Sequence, residues 1–495
     1  MPYFEGNIAE VLVWAAAAIV LASLCAQFLL RREARNRAQW TNRKSPGQTG
    51  AAPGDPDAVL VRDCQRFERS VREEPGNAAA WRGWGKALVA LAEKRPAAEA
   101  DRLYSEAEAK FSAALGIAPG HMLAAANLAS VLSKRASRKG GDEGRGLLIR
   151  ACSLCERVAH CPESDPQFTR ALRSHGFYSW GSTLWKLGYM TGFDGADRYY
   201  GEAEEKFSAA LAIDPEHTVS ANGRVLAIRM RGLLRRGEAG RPFLLQSIEL
   251  CQEMARKNPG DVTGVQGWGR SLYLMGVRAP DAEAEQLYIQ AEEKARFGLA
   301  AAPANEFLLC DVAAAMSDRA GLHEEERTSE IIEEASRFLK AALRDHPASW
   351  LLLSSWGYLL GLRAERMPGA ETARLIEEAG RLFDEAARKM SDPGRILAAW
   401  GSLLAGKAWL VEGVEAVGLL EQARGKFADR EAHGPGMYAY ALACVEARLG
   451  EPDPCRQWLE KSREPGIWIS ADRMARDPAL ASVRELDWFR QLLAQ

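Results

Sequence analysis

Apolar and polar positions follow a helical period through most of this chain. In Glu106–Leu115 and again in Glu202–Leu211, apolar residues recur at i, i+3, i+4 and i+7, the pattern of an amphipathic helix with one buried stripe. The two segments are nearly the same text, ending Lys110-Phe111-Ser-Ala-Ala-Leu115 and Lys206-Phe207-Ser-Ala-Ala-Leu211. Strand-type alternation is nearly absent, so the chain is predicted to be helical throughout.

Prolines divide the helical text at a fixed spacing. Pro75, Pro119, Pro162, Pro215, Pro259, Pro303, Pro347, Pro393 and Pro435 follow one another at 44, 43, 53, 44, 44, 44, 46 and 42 residues. Proline ends a helix because it lacks the N–H and restricts the residue before it. A period in this range marks stacked supersecondary units, each burying its apolar face against its neighbours. A large residue followed by Gly or Ala recurs in phase, as in Trp84-Gly85, Trp180-Gly181, Trp268-Gly269, Trp356-Gly357 and Trp400-Gly401. The small residue is expected to let a neighbouring helix approach. Phe67, Phe111, Phe207, Phe297, Phe338, Phe383 and Phe427 form a third marker ahead of the prolines.

Trp81, Trp84-Gly85, Phe111, Ala114 and Pro119, with Tyr438, Leu442-Ala443, Gly450 and Leu459 in the last unit, resemble the tetratricopeptide repeat pattern. Standard units have about 34 residues; most here have about ten more, which longer helices and a longer hairpin loop are expected to absorb. The resemblance implies an all-α fold: a right-handed α-solenoid of about nine helix-turn-helix repeats over 57–465. Residues 466–495 then read as carboxy-terminal capping helices. The segment Ser137–Gly146 is read as the longest irregular insertion and assigned to the 53-residue interval.

Residues 1–30 carry a different pattern. Val11–Leu30 has no charged residue and is followed by Arg31, Arg32, Arg35, Arg37, Arg43 and Lys44. This length and flank predict a transmembrane helix over about 8–30, which precedes the solenoid in the expected fold. A cleaved signal peptide would need a basic leading region and a shorter apolar core. A lipoprotein site at Cys25 would need a small residue where Leu24 stands. With 31–56 as basic flank and flexible linker, the expectation is a single-pass protein of the inner (plasma) membrane, amino terminus outside and repeats cytoplasmic. Nine cysteines without framework spacing fit a reducing compartment.

Charge and motifs narrow the chemistry. Sixty-four basic and 66 acidic residues leave a net charge of −2, which argues against nucleic acid as the main ligand. Gly401–Ala408 lacks the hydroxyl residue and preceding strand of a phosphate-binding loop. Cys152, Cys155, His160 and Cys161 are zinc-ligand residue types, but adjacent His160 and Cys161 cannot easily both reach one tetrahedral ion. No nucleophile–base set stands out. No enzyme activity, metal or cofactor is therefore expected.

The resemblance implies instead a ligand groove lined by the first helix of each repeat, at positions two before and two after the Trp-type residue. None of those eighteen positions is acidic, and they include Arg82, Lys86, Tyr178, Arg224, Gln266, Arg270, Tyr358 and Tyr440. Such a set suits an extended or acidic peptide, held by charge-assisted bonds and aromatic contacts. The expected function is a membrane-anchored scaffold that recruits protein partners. The alternative is a self-assembling structural protein that forms a homo-oligomeric lattice at the membrane.

Overall fold

The computed structural model describes residues 56–495, apart from 166, 192, 236, 324, 365–369, 390–393, 410, 432–437, 463–473, 476 and 495. These residues form two compact units. The amino-terminal unit runs to Thr191 and adds Gly195–Ala227; the carboxy-terminal unit takes Gly192–Asp194 and continues from Ile228.

The first unit holds α1 (Pro56–Glu73), α2 (Ala78–Ala92), α3 (Ala97–Ile117), α4 (Met122–Lys139), α5 (Gly141–Ala159), α6 (Arg170–Met190), most of α7 (Phe193–Ile213) and the start of α8 (Thr218–Leu234). The second continues through α9 (Arg241–Lys257), α10 (Val262–Gly276), α11 (Asp281–Ala301), α12 (Glu306–Gly321), α13 (Glu325–Asp345) and α14 (Trp350–Ala364). It ends with α15 (Ala370–Arg388), α16 (Gly394–Lys407), α17 (Gly413–Glu431), α18 (Ala439–Leu449), α19 (Pro452–Lys461), a 3-10 turn at Pro478–Val483 and α20 (Asp487–Ala494). The pairs α2/α3 to α18/α19 are nine repeats among the described residues, and the chain forms the expected all-helical repeat.

The proline spacing has a direct structural cause. At six prolines the N–H of the residue before Pro closes the preceding helix, as Ala118 does on the Ala114 carbonyl and Asp214 on Ala210. The N–H two residues after Pro then donates to the carbonyl of the residue before it: Asn77 to Glu74, His121 to Ala118, His217 to Asp214, Asp261 to Asn258, Asn305 to Ala302 and Ser349 to His346. Pro sits second in each of these turns, where its fixed φ costs nothing. Asn77, Asp261 and Asn305 then cap the next helix through their side chains, satisfying amides that have no partner within the helix.

The Trp-Gly marker is a packing device. A Cβ on Gly85 would lie 2.7 Å from the Phe111 ring, and one on Gly181 would lie 3.0 Å from Phe207. The Phe of the second helix fills the space that the Gly of the first leaves. A lysine completes the unit: Lys110 lies 3.6 Å from the Trp84 ring centre, Lys206 4.3 Å from Trp180, Lys294 4.3 Å from Trp268 and Lys426 3.8 Å from Trp400. These are cation–π contacts between the two helices of one repeat.

Several expectations are corrected. Among the described residues no helix is long and apolar enough to cross a membrane. The long described helices are amphipathic; α13 and α15, for example, carry charged residues along one side. The transmembrane helix and the inner-membrane location are accordingly withdrawn. The segment 8–30 that suggested them, like most of the linker, lies outside the described residues.

Ser137–Gly146 is not an irregular loop. Helix α4 runs to Lys139 and α5 starts at Gly141, with one residue between them. Gly140 and Gly141 have φ of +66° and +50°, which only glycine adopts without strain. The extra residues of the 53-residue interval lie instead in the 160–169 connection and in the 21-residue α6. Longer helices do absorb the added repeat length, but the hairpin loop stays short: only 93–96 join α2 to α3. Phe297 is not a core marker either, since it is 68% exposed while Ala295 is buried in the slot after Lys294.

Candidate functional site

The eight residues expected to face a ligand all lie on first helices of repeats, and the structure divides them into closed and open. In the carboxy-terminal unit they are closed. Arg270 on α10 is 2% exposed, and its Nε donates to Asp311 Oδ1 at 2.8 Å and Oδ2 at 3.0 Å. Gln266 Nε2 donates to the same carboxylate at 3.1 Å. Asp311 belongs to α12, the first helix of the next repeat. Burial lifts its pKa above the ordinary carboxylate range, and Arg270 only partly offsets this.

The same unit closes its tyrosines. Tyr358 on α14 donates to Asp318 Oδ1 at 3.1 Å, and Tyr273 on α10 donates to Oδ2 at 2.6 Å. Asp318 thus holds one phenol from the repeat before it and one from the repeat after. Burial pushes its pKa up to about 6, against the two phenol hydrogen bonds that favour the ionised form. Tyr440 on α18 donates to Asp477 Oδ2 at 2.7 Å. Beneath Arg270 lies a second buried cation. Arg229 on α8 donates to Ser271 Oγ at 3.1 Å and to the Gly267 carbonyl at 2.9 Å, and burial lowers its pKa to about 10.

The amino-terminal unit differs. Tyr178 on α6 is buried, its ring 5.3 Å from His217 and 6.1 Å from Phe207. Lys86 on α2 is exposed. Arg82 on α2 and Arg224 on α8 are half-buried, and the Nε of each is sealed from solvent without a hydrogen-bond partner. Neither guanidinium makes a hydrogen bond or ion pair among the described residues. These two are the open cations of the expected set.

The remaining motifs take structural roles. Gly401–Lys407 is part of α16, and Lys407 lies 3.3 Å from Glu415, 7% exposed. Cys155 and Cys161 are buried. Burial pushes the Cys152 thiol up to about 12. Among the described residues no three His, Cys, Asp or Glu side chains stand close enough to hold a metal ion. A cleft of about 430 Å³ runs along α13, lined by three arginines and three glutamates with Ile331, so its charges compensate one another.

The sequence reading missed Asp311 and Asp318. They lie just outside the two positions considered per repeat, and their partners are 40 to 45 residues away in the chain. The signal was available as two acids seven residues apart on one first helix.

No family model matches the chain, and no curated protein matches it. Similar solved structures include YrrB, a TPR protein with an unusual peptide-binding site, at 14% identity over 50% of this chain and 97% of that one, TM-score 0.31. A tetratricopeptide repeat protein from Parabacteroides merdae shows 11% identity over 63% of this chain and 97% of that one, TM-score 0.34. Human IFIT1, solved as a dimer with m7Gppp-AAAA, shows 15% identity over 86% and 96%, TM-score 0.35. The helical repeat itself rests on the recurring proline turns and Gly–Phe contacts described above.

Proposed function

We propose that this chain is a protein-binding scaffold that holds an extended acidic polypeptide segment on the first helices of its amino-terminal unit. One observation carries the reading. Arg82 and Arg224 keep guanidiniums without a hydrogen-bonded or ion-paired partner among the described residues, while Arg270, at the repeat position of Arg224, is ion-paired with Asp311 through its Nε. A half-buried donor left without an acceptor costs free energy that a ligand carboxylate recovers. Arginine also favours carboxylates through its planar fork of donors.

The test uses the full purified chain and a fluorescein-labelled peptide of alternating Glu and Ala, read by fluorescence anisotropy. Arg82→Glu and Arg224→Glu are each expected to weaken binding about tenfold or more, the worth of one charge-assisted hydrogen bond. Arg270→Glu instead disrupts folding of the carboxy-terminal unit. Binding that is unchanged in both amino-terminal variants overturns the reading. So does preference for a single-stranded oligonucleotide over the peptide.

A further inference from the structure

The second helices of the carboxy-terminal unit offer an internal comparison. Helices α13 and α15 match at a spacing of 44 residues: Ala335, Leu339 and Ala342 are buried in one, and Ala379, Phe383 and Ala386 in the other. The exposed row of α15 is Arg374, Glu377, Arg381, Asp384 and Arg388. Its charges alternate, so each has an opposite neighbour three or four residues away. The same row of α13 is Glu330, Glu333, Arg337, Lys340 and Arg344, all exposed. Here the acids and the bases are segregated, and only Glu333 and Arg337 are neighbours of opposite sign.

The helix itself does not call for this segregation. Like charges three or four residues apart destabilise a helix. The helix dipole favours acids at the start and bases at the end, but only within the first and last turns, and Glu333, Arg337 and Lys340 lie inside the 21 residues of α13. Glu330, Glu333, Arg337 and Arg344 make no ion pair among the described residues, and Lys340 lies 5.2 Å from the Trp356 ring centre. The charges beside the row are already paired: Arg296 holds Glu334 at 3.2 Å, and Glu285 holds Arg327 at 2.7 Å. The cleft along α13 is thus balanced in total charge, while its outer row is not balanced in place.

We infer that this row of α13 is a docking face for a second copy of the chain, laid antiparallel about Ala335. Charge complementarity selects that occupant. In the antiparallel register Glu330 meets Lys340 of the second copy and Glu333 meets Arg337 of the second copy, and two-fold symmetry repeats both pairs. A parallel copy in register would set each charge against itself. The same operation centres α15 on Ala379, where Arg374 meets Asp384 and Glu377 meets Arg381. It brings no like charges together in the equivalent rows of α11 and α17. Exposed ion pairs are individually weak, so the association is transient, with a dissociation constant on the order of 100 µM at about 50 mM salt. It uses second helices of the carboxy-terminal unit and does not rest on the scaffold reading.

The test is sedimentation velocity of the full purified chain from about 10 to 500 µM, at about 50 and about 500 mM salt. Reversible dimers are expected at low salt, weakened about tenfold or more at high salt. Glu330→Lys with Glu333→Arg, or Arg337→Glu with Lys340→Glu, gives the row one sign and should leave monomers. All four substitutions together reverse every pair but keep the pattern. Self-association should then return, and this variant should not pair with the native chain. A carbodiimide, which joins carboxylate to amine directly, should link Glu330 to Lys340. These residues stand about 15 Å apart along one helix, so that link forms only between copies. Circular dichroism melting checks that each variant is folded. Monomers throughout the range overturn the inference. So does a dimer that the one-sign variants leave unchanged, or a four-residue reversal that is folded and stays monomeric. A monomeric chain that binds the peptide of alternating Glu and Ala through Arg337 and Lys340 gives the row to an acidic partner and also overturns it.

Discussion

Replacing Asp311 by Asn tests whether Arg270 is structural. The substitution keeps the shape of the side chain and removes its charge. Arg270 is 2% exposed and Asp311 11% exposed, with two contacts of 2.8 and 3.0 Å between them. At an effective dielectric of about 20 and roughly 4 Å between charge centres, the pair is worth about 4 kcal/mol of Coulomb energy. Breaking a buried pair on one side typically costs about 3–5 kcal/mol, because the remaining charge is stranded. A urea slope of roughly 2–3 kcal/mol per molar turns that into a midpoint shift of about 1–2 M. Helical arrays need not unfold in one step, so amide exchange in α10 and α12 should be followed alongside Trp fluorescence. Those helices should lose protection first. Arg270→Met with Asp311→Leu removes both charges and should recover most of the loss. A shift below about 0.3 M for Asp311→Asn would refute the reasoning. Arg270 would then not depend on Asp311, and the contrast between closed and open arginines would collapse.

The remaining predictions concern other parts of the fold. Asp318 has a native pKa of about 6 against an ordinary 3.8, so the native state keeps a proton that the unfolded chain has lost. Stability of the carboxy-terminal unit should therefore fall as pH rises from about 4 to about 6 and then level off; denaturation across that window should show a steeper slope in the intact chain than in Asp318→Asn, where the raised pKa of Asp311 still contributes. Gly85→Ala places a Cβ 2.7 Å from the Phe111 ring and should cost about 1–3 kcal/mol by overpacking. Gly116→Ala, with nothing within 4 Å of the new Cβ, should be neutral or add up to about 1 kcal/mol in the same melting experiment. Lys110→Met removes the cation held 3.6 Å from the Trp84 ring centre and should cost about 0.5–2 kcal/mol, with the tryptophan emission shifted.

Much of the fold was legible because it is local. The prolines marked the turns, since each turn is made by backbone bonds between residues three apart. The Trp-Gly marker announced a close approach, and Gly85 against Phe111 is that approach. The Ser137–Gly146 reading failed because four glycines and several charges look like a loop. Helical geometry tolerated them, with only Gly140 and Gly141 leaving the ordinary backbone region. Phe297 misled because the marker was the aromatic residue alone. In that repeat the lysine is the better signal: Lys294-Ala295 keeps the lysine on Trp268 after the Phe has gone.

The candidate site was less legible, for a physical reason. A repeat places chemically similar residues at equivalent positions, so Arg224 and Arg270 look alike in sequence, and Arg82 stands at the other position expected to face the groove. Whether each is a binding residue or a structural one depends on what the following repeat brings against it. Asp311 meets Arg270 and makes it part of the fold. Arg82 and Arg224 meet no such acid among the described residues. Selection for stability alone favours closing such gaps, because each buried polar atom without a partner costs roughly 1–3 kcal/mol. Arg95, Arg145 and Arg173 also bury an Nε without a hydrogen bond, but each has an ion-pair partner; ligand chemistry in the amino-terminal unit should therefore be sought at Arg82 and Arg224, for which none is found among the described residues.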